Sequence, residues 1–202
     1  LLAGTMLTAT IFAGCGKGSG SETQTASKDT FVTAYAPNES TDESADAREG
    51  LAKDLEKELG VKVEEIQASD YNAIVEALRT GKADAAYIGS LAIAYANDRA
   101  GAIPVAMKAP DGDKSKAVYH SLLITSSKND DINSIEDIKG KSIAFVDPES
   151  TSGNLFPSYD IIKAFPDENL TSDDLHTNGK FFSAISYSGK HQAGLQAVIK
   201  GD

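Results

Sequence analysis

Apolar positions along the chain repeat with two alternating periods. Runs that are apolar throughout, or at every second residue, predict strands; they cover Phe31–Tyr35, Val61–Ile66, Ala83–Ile88, Ile103–Met107, Val118–Thr125, Ser142–Val146 and Phe181–Ser186. Between them, apolar residues spaced by three and four predict helices, at Ala47–Leu59, Tyr71–Leu78, Ala92–Arg99, Ser134–Ile138, Tyr159–Phe165 and Lys190–Lys200. In the first of these helices Leu51, Leu55 and Leu59 share one face and Gly60 is the predicted stop, and Asp70 is the predicted cap of the second. Strands that alternate with helices indicate an α/β fold with a largely parallel sheet.

The first 14 residues contain no charged side chain and end at Cys15, the single cysteine. This stretch is too short to cross a bilayer and suits the apolar region of a signal peptide. The residues before Cys15 resemble a bacterial lipobox, in which the cysteine is lipid-modified and begins the mature protein. We therefore predict a signal peptide over 1–14, a lipid anchor at Cys15 and a polar tether over 15–29. The alternative for Cys15 is a buried structural cysteine. Because the cationic start of a signal peptide is missing, we expect the natural chain to begin before Leu1.

Composition narrows the classes of function. The chain has 202 residues and a net charge of -11, and 41% of its residues are hydrophobic. This is enough for one large or two small globular domains. The acidic balance argues against nucleic acid as a partner, because phosphate backbones require clustered Lys and Arg. One cysteine excludes an internal disulfide, and three scattered histidines give no metal-ligand spacing. We expect neither a metal nor a cofactor.

A run of hydroxyl side chains is the first candidate site. Ser150, Thr151 and Ser152 precede Gly153, between a predicted strand and a predicted helix. A helix start offers unpaired N–H groups and about half a positive charge, so an anion can collect hydroxyl and amide donors there. The alternative is that one serine caps the helix and the others are ordinary turn residues.

A histidine at another helix start is the second candidate. His191 begins the helix that carries Leu195, Val198 and Ile199, and it lies on the same face as Leu195. It is either a donor that reaches across a cleft or a core histidine. His120 and His176 have no comparable setting, and we assign them no role.

Three groups of residues carry a resemblance to a known family. Ala77–Gly89 and Ile135–Phe145 resemble segments of type II periplasmic binding proteins. Asp147–Gly153 (Asp-Pro-Glu-Ser-Thr-Ser-Gly), followed by Ser188–His191 and then Ala197–Asp202, is similar to the phosphate/phosphite/phosphonate-binding proteins of ABC transporters. The resemblance runs from about residue 31 to residue 202.

The resemblance implies two α/β lobes that close on an oxyanion. It implies ligand contacts from Ser150, Thr151, Ser152, His191 and Tyr71. A second family tyrosine falls on Ile88; the neighbouring candidate, Tyr87, would point to the opposite face of the strand. The acidic residues that read a substrate amine in the family would lie beyond residue 202.

The resulting expectation is a two-lobed type II periplasmic-binding-protein fold. We predict lobe 1 over 30–117 and lobe 2 over 118–202, hinged around Lys114–Val118, with a C-terminal return to lobe 1 missing. The implied function is capture of phosphonate, phosphate or phosphite by a monomeric extracytoplasmic lipoprotein, which delivers it to an ABC permease and is not an enzyme. The alternatives are a Ser/His hydrolase or phosphoesterase, although no Gly-x-Ser-x-Gly motif occurs, and a surface sensor or adhesion lipoprotein.

Overall fold

The structure is a computed structural model that describes residues 29–37 and 42–201. Within these ranges the strands are β1 (Thr30–Tyr35), β2 (Lys62–Gln67), β3 (Ala85–Tyr87), β4 (Ser142–Phe145) and β5 (Ala184–Tyr187). The helices are α1 (Ala45–Leu59), α2 (Tyr71–Arg79), α3 (Ser90–Ala100), α4 (Phe156–Ala164), α5 (Ser172–Leu175) and α6 (His191–Lys200). None of these helices is both long and apolar enough to traverse a bilayer. The predicted signal peptide, Cys15 and nearly all of the tether lie outside the described residues.

The first lobe is built on a parallel three-stranded sheet in the order β2-β1-β3. Thr33 of β1 lies opposite Glu65 on one side and Ala85 on the other. Parallel neighbours need a crossover connection, and α1 and α2 supply the crossovers. One core packs small residues of β1 against α2 and α3, where Ala34, Ile74 and Ala92 are fully buried. The predicted parallel α/β arrangement is confirmed.

The second lobe has a parallel pair, β4 and β5, in which Ser142 lies opposite Ala184 and Phe145 opposite Tyr187. Its core is separate from the first and largely aromatic. It consists of five buried residues: Phe145, Ile161, Leu175, Phe181 and Phe182. The predicted lobe boundary between residues 117 and 118 stays a prediction.

Local signals for helix ends are confirmed at α1 and α2. Asp70 caps α2, because its carboxylate accepts a hydrogen bond of 2.8 Å from the Ala73 N–H. Gly60 ends α1 with a φ of 70°, a left-handed conformation that glycine adopts without a steric cost.

The predicted helix α1 forms, but two of the leucines on its predicted apolar face are exposed. Leu51 and Leu59 are 43% and 46% exposed. The helix buries Arg48 instead, whose guanidinium donates to Glu65 at 3.1 Å and to Ser44 at 2.8 Å. Arg48 also lies over the Tyr35 ring. This face of the first sheet therefore packs on α1 through charge and hydrogen bonds.

Two predicted strands, Ile103–Met107 and Val118–Thr125, do not form. Both stretches lack regular structure, and their apolar side chains face solvent: Val105 is 86% exposed and Leu122 is 77% exposed. A strand requires a neighbour that pairs with its N–H and C=O groups, and no described strand runs alongside either stretch. An apolar run alone could not reveal this.

The last predicted strand begins later than expected. Phe181 and Phe182 are buried in the second core, but the β5 ladder starts only at Ala184. Both phenylalanines lie in the turn before the strand, where the Gly140 N–H donates to the Phe181 carbonyl at 2.9 Å. Two consecutive buried rings mark a packed turn here, because the side chains of a strand alternate between faces.

Candidate functional site

The carboxyl ends of both sheets carry the candidate residues. In the first lobe the Ala68 N–H donates to the Tyr35 carbonyl at 3.1 Å, which extends the sheet toward α2 and its first residue, Tyr71. In the second lobe the Ser188 and Gly189 N–H groups donate to Phe145 and Val146, at 2.8 and 2.7 Å. The segment that leads to His191 therefore leaves its sheet beside the segment that leads to Ser150.

We call residues 147–154 the hydroxyl turn. The Ser150 N–H donates to the Asp147 carbonyl at 2.9 Å, and the Ser150 hydroxyl accepts from the Gly153 N–H at 3.1 Å. Ser150 is 1% exposed and precedes a π-helical turn, Thr151–Leu155, which continues directly into α4. Ser150 is thus the capping serine that the alternative interpretation required.

Gly153 is needed in the hydroxyl turn for space. Its carbonyl accepts from the Val146 N–H at 3.0 Å, which brings the turn against the end of β4. A Cβ atom at Gly153 would lie 2.3 Å from Val146 Cγ2 and 2.9 Å from Ser150 Oγ. Both distances are shorter than real Cβ contacts, so only glycine fits.

The hydroxyl turn touches the first lobe through Thr151. The Thr151 Oγ1 atom accepts a hydrogen bond of 2.9 Å from the Leu91 N–H, in the first turn of α3, and Thr151 is 5% exposed. Gly89, just before α3, permits this approach, because a Cβ there would lie 3.0 Å from Thr151 Oγ1. Ser152 receives a different contact: its carbonyl accepts from the Ser121 hydroxyl at 2.6 Å.

A charge pair joins the lobes beside this hydrogen bond. Arg99 Nη1 lies 3.6 Å from Glu149 Oε1 and donates to Asn72 Oδ1 at 2.9 Å. The Glu149 side chain is only 12% exposed, and its Oε2 atom has no hydrogen-bond partner among the described residues. Burial raises the pKa of the Glu149 carboxyl; nearby Asp147 and Asp70 push it the same way, and Arg99 opposes them.

Glu149→Gln is expected to stabilise the protein at neutral pH. A carboxyl whose pKa is raised in the folded state contributes stability below the unfolded pKa, near 4.5, and loses it as pH rises through the folded value. The advantage of the neutral amide should therefore be present at pH 7 and vanish below about pH 4.5. Thermal unfolding from pH 4 to 8 measures it, with Glu58→Gln on exposed α1 as the control. An advantage that does not change with pH would contradict this electrostatic account.

The remaining predicted residues are one buried tyrosine, Tyr71, and two exposed side chains, His191 and Tyr87. Tyr71 begins α2 and is 4% exposed, whereas His191 begins α6 and is exposed. The exposure of His191 does not fit the core-histidine alternative. Tyr87 is 37% exposed and lies opposite Tyr35 in the sheet, on the face away from Ile88. Ile88 itself packs on the first core, so the expected reversal of faces is confirmed.

Sequence reasoning missed the first-lobe partners of the hydroxyl turn. The donor to Thr151 is the backbone N–H of Leu91, and the partner of Glu149 is Arg99. A backbone donor leaves no trace in side-chain identity, so no sequence signal could have found it. His176 was assigned no role, yet its ring contacts Asn154 at the end of the hydroxyl turn.

The arrangement offers donors from hydroxyls and amides at helix starts. Among residues 29–37 and 42–201, no group of three or more His, Cys, Asp or Glu side chains could hold a metal ion. Neutral hydroxyls and amide dipoles suit an anion that needs many hydrogen bonds.

Comparison with known proteins also indicates relatives that bind or import a small anion. The family model described as the periplasmic phosphonate substrate-binding protein of an ABC transporter matches residues 33–202. The phosphate-import protein PhnD of Mycolicibacterium smegmatis is 32% identical over 175 residues, which are 86% of this chain and 53% of that protein. The phosphonates-binding periplasmic protein of Escherichia coli is 39% identical over 127 residues, which are 60% of this chain and 36% of that protein.

A solved structure shares the fold. The binding protein component of an ABC phosphonate transporter from Pseudomonas aeruginosa superposes with a TM-score of 0.67 at 27% identity, over 85% of this chain and 54% of that one. The chain spans about half the length of the Mycolicibacterium smegmatis protein and of the Pseudomonas aeruginosa protein. The family model covers most of the chain, and the chain belongs to the family of periplasmic phosphonate substrate-binding proteins of ABC transporters.

Proposed function

We propose that the protein captures a small phosphorus oxyanion between its two lobes and delivers it to an ABC permease. The ligand is a phosphonate or a related anion, phosphate or phosphite. The names of the relatives support this range, since one is a phosphate-import protein and another a phosphonates-binding protein. Those names describe import and binding, which favours capture over catalysis. An extracytoplasmic location and a monomeric state belong to the same proposal.

The observation that carries the proposal is the orientation of two buried hydroxyls. Ser150 Oγ accepts from the Gly153 N–H, and Thr151 Oγ1 accepts from the Leu91 N–H. A hydroxyl has one proton to donate and two lone pairs. Because an amide N–H occupies a lone pair in each case, the O–H is left to donate, and an oxyanion is a strong acceptor. Neutral donors also allow an acidic protein to bind an anion.

The other predicted contacts complete the cage in this proposal. Tyr71 would donate its phenol from the first lobe, and Ser152 and His191 would donate from the second. Tyr87 is included because it is the tyrosine nearest to position 88. It lies on the Tyr35 face of the strand, which makes it the least favourably placed of the six predicted ligand residues.

Loss of one hydroxyl in the turn should weaken binding strongly. A hydrogen bond to a charged group contributes about 1.5–3 kcal/mol, so Thr151→Val should weaken binding of methylphosphonate about ten- to a hundredfold. Thr151→Ser keeps the hydroxyl and is the matched control. Ser150→Ala, Ser152→Ala and His191→Ala should each act in the same direction. Titration calorimetry with methylphosphonate, phosphate and phosphite measures the effect, and unchanged affinity in all four variants would place the site elsewhere.

Lipid anchoring at Cys15 is a separate part of the proposal, and it rests on the sequence alone. Cys15→Ala in the full-length protein should move it from the membrane fraction to the soluble fraction, because a chain without acyl groups loses its bilayer affinity. Immunoblots of the two fractions measure the change. An unchanged membrane fraction would refute the anchor without affecting the oxyanion site.

A further inference from the structure

His176 lies between the hydroxyl turn and α5. It directly follows α5 and is half-buried, and its ring centroid lies 4.9 Å from that of Phe145. Its Nδ1 atom is 2.7 Å from the Ser172 carbonyl oxygen, and its Nε2 atom is 2.7 Å from Asn154 Oδ1. The ring therefore bridges the end of α5 and the end of the hydroxyl turn.

Asn154 in turn closes the hydroxyl turn. Its Nδ2 group donates to the Pro148 carbonyl at 2.9 Å, so its side chain links two positions that flank Ser150, Thr151 and Ser152. This bond also fixes the orientation of the Asn154 side-chain amide, because a flipped amide would place its Oδ1 atom against the Pro148 carbonyl oxygen. The atom that faces His176 is consequently Oδ1, which can only accept.

Two acceptors on opposite sides of the ring favour the form that carries a proton on each nitrogen. A carbonyl oxygen and an amide oxygen have no proton to give, so each ring nitrogen must supply its own. Only the imidazolium form of His176 can donate at both nitrogens. A neutral ring would set a lone pair against Asn154 Oδ1 or the Ser172 carbonyl, each at 2.7 Å. The hydroxyls that could donate to the bare nitrogen lie farther away, Ser158 Oγ at 3.5 Å from Nε2 and Ser172 Oγ at 3.2 Å from Nδ1. Loss of the Nε2 proton would then release Asn154, and with it the link to Pro148.

The side chains that contact the ring are uncharged. Its contacts come from Asn154 of the hydroxyl turn, Ser158 of α4, Ser172 of α5 and Phe145 of β4. None of these side chains is ionisable. The charged groups on the neighbouring elements are Asp173 and Asp174 on α5, Asp160 and Lys163 on α4, and Asp147 and Glu149 in the hydroxyl turn. Tyr187 of β5 lies beyond Phe145.

Two of these groups keep a constant charge between pH 5 and 8. Asp174 has a pKa lowered to about 2, first by the Thr171 hydroxyl and then by the Thr171 N–H and Lys180, so it stays anionic. Burial, assisted by Asp147, raises the pKa of the Tyr187 phenol above 10, so it stays neutral. Glu149, whose pKa burial raises, is another titratable side chain of the hydroxyl turn, and comparison of His176→Gln with wild type at each pH separates its effect from that of His176.

We propose that doubly protonated His176 is a positioning residue that holds the hydroxyl turn in its binding geometry through Asn154. This inference rests on the proposed oxyanion site. Histidine changes its charge between pH 5 and 8, so His176 links oxyanion affinity to the pH outside the cell. Oxyanion affinity falls as the ring loses its second proton. His176 does not touch the ligand in this proposal and acts on the hydroxyl turn through Asn154.

The affinity experiment compares full-length wild type with His176→Gln, and uses His120→Gln as the matched control on an exposed histidine. Methylphosphonate affinity is measured at pH 6 and at pH 8. Any titration of the ligand, of His191 or of Glu149 is common to both proteins and cancels in the variant-to-wild-type ratio. His176→Gln should bind about fivefold more weakly than wild type at pH 6, as expected for one hydrogen bond, and equally at pH 8. His120→Gln should match wild type at both. In an Asn154→Ala background, His176→Gln should cause no further loss.

A ligand-free measurement separates this inference from the proposed function. Nitrogen-15 NMR of the His176 ring should show protons on both nitrogens at pH 6 and on one at pH 8, and the Gly153 amide signal should shift over the same range. If wild type binds neither methylphosphonate nor phosphate, the proposed function fails, and these signals still decide whether His176 orders the turn. A single ring proton at pH 6, or a variant-to-wild-type ratio that does not change with pH, would overturn the inference. If His176→Gln unfolds, His176→Phe replaces it and keeps the ring contact with Phe145.

Discussion

Gly153→Ala is expected to lower both the melting temperature and the ligand affinity of the protein. The added Cβ would lie 2.3 Å from Val146 Cγ2, so either the turn or the end of β4 must move. Such overpacking costs about 1–3 kcal/mol, which corresponds to about 2–12 °C in a protein of this size. Because the moved atoms include Ser150 Oγ, affinity for methylphosphonate should fall along with stability.

The matched control is Gly50→Ala. Gly50 lies within α1, and beyond its chain neighbours and its own helix backbone no atom of the described residues lies within 4 Å of the position its Cβ would take. Alanine is a better helix former than glycine, so this change should stabilise the protein by about 1 kcal/mol and leave affinity unchanged. Differential scanning calorimetry and ligand titration on both variants provide the test. Equal effects of the two substitutions would show that the close approach at Gly153 is not a constraint.

Phe145→Ala should have the largest effect on stability of the changes considered. Phe145 is 2% exposed, and its ring contacts Phe182, Tyr187 and His176. Truncation of a buried phenylalanine costs about 3–5 kcal/mol, since it leaves a cavity that the surroundings fill only in part. The melting temperature should fall by about 6–20 °C.

Phe156→Ala provides the comparison for a phenylalanine outside the core. Phe156 begins α4 and is 48% exposed, so its truncation should cost under about 1 kcal/mol. Chemical denaturation of both variants measures the difference in the free energy of unfolding. A loss at Phe145 no greater than that at Phe156 would mean that the aromatic cluster does not stabilise the second lobe.

Much of the fold could be predicted from the sequence where the signal is local. The cap at Asp70 and the stop at Gly60 depend on residues within one helical turn, and both were predicted correctly. The strand pattern also showed that Tyr87 and Ile88 face opposite sides, because that depends only on the period of two. These elements are specified by residues a few positions apart.

Sequence-based prediction failed where the interacting residues lie far apart along the chain. The apolar stretch at Ile103–Met107 has the composition of a strand, but pairing depends on a neighbour that composition does not describe. The apolar pattern of α1 consisted of leucines, whereas the structure buries Arg48. Its guanidinium donates a hydrogen bond to Glu65, which lies 17 positions away along the chain. In the candidate site, the run of hydroxyls predicted an anion site. The contact between Thr151 and Leu91 joins positions 60 apart and could not be foreseen.

The hydrogen bond between Thr151 and Leu91 makes the two lobes unequal in their tolerance of mutation. In the first lobe the donor is a backbone N–H, which every amino acid except proline retains, so residue 91 can vary widely without loss of the contact. In the second lobe the acceptor is one side-chain oxygen, which only a few residues could supply. Genetic variation can therefore alter this contact through codon 151, or through codon 89, where a Cβ would lie 3.0 Å from Thr151 Oγ1. Substitution of residue 91 itself leaves the donor in place unless the new residue is proline.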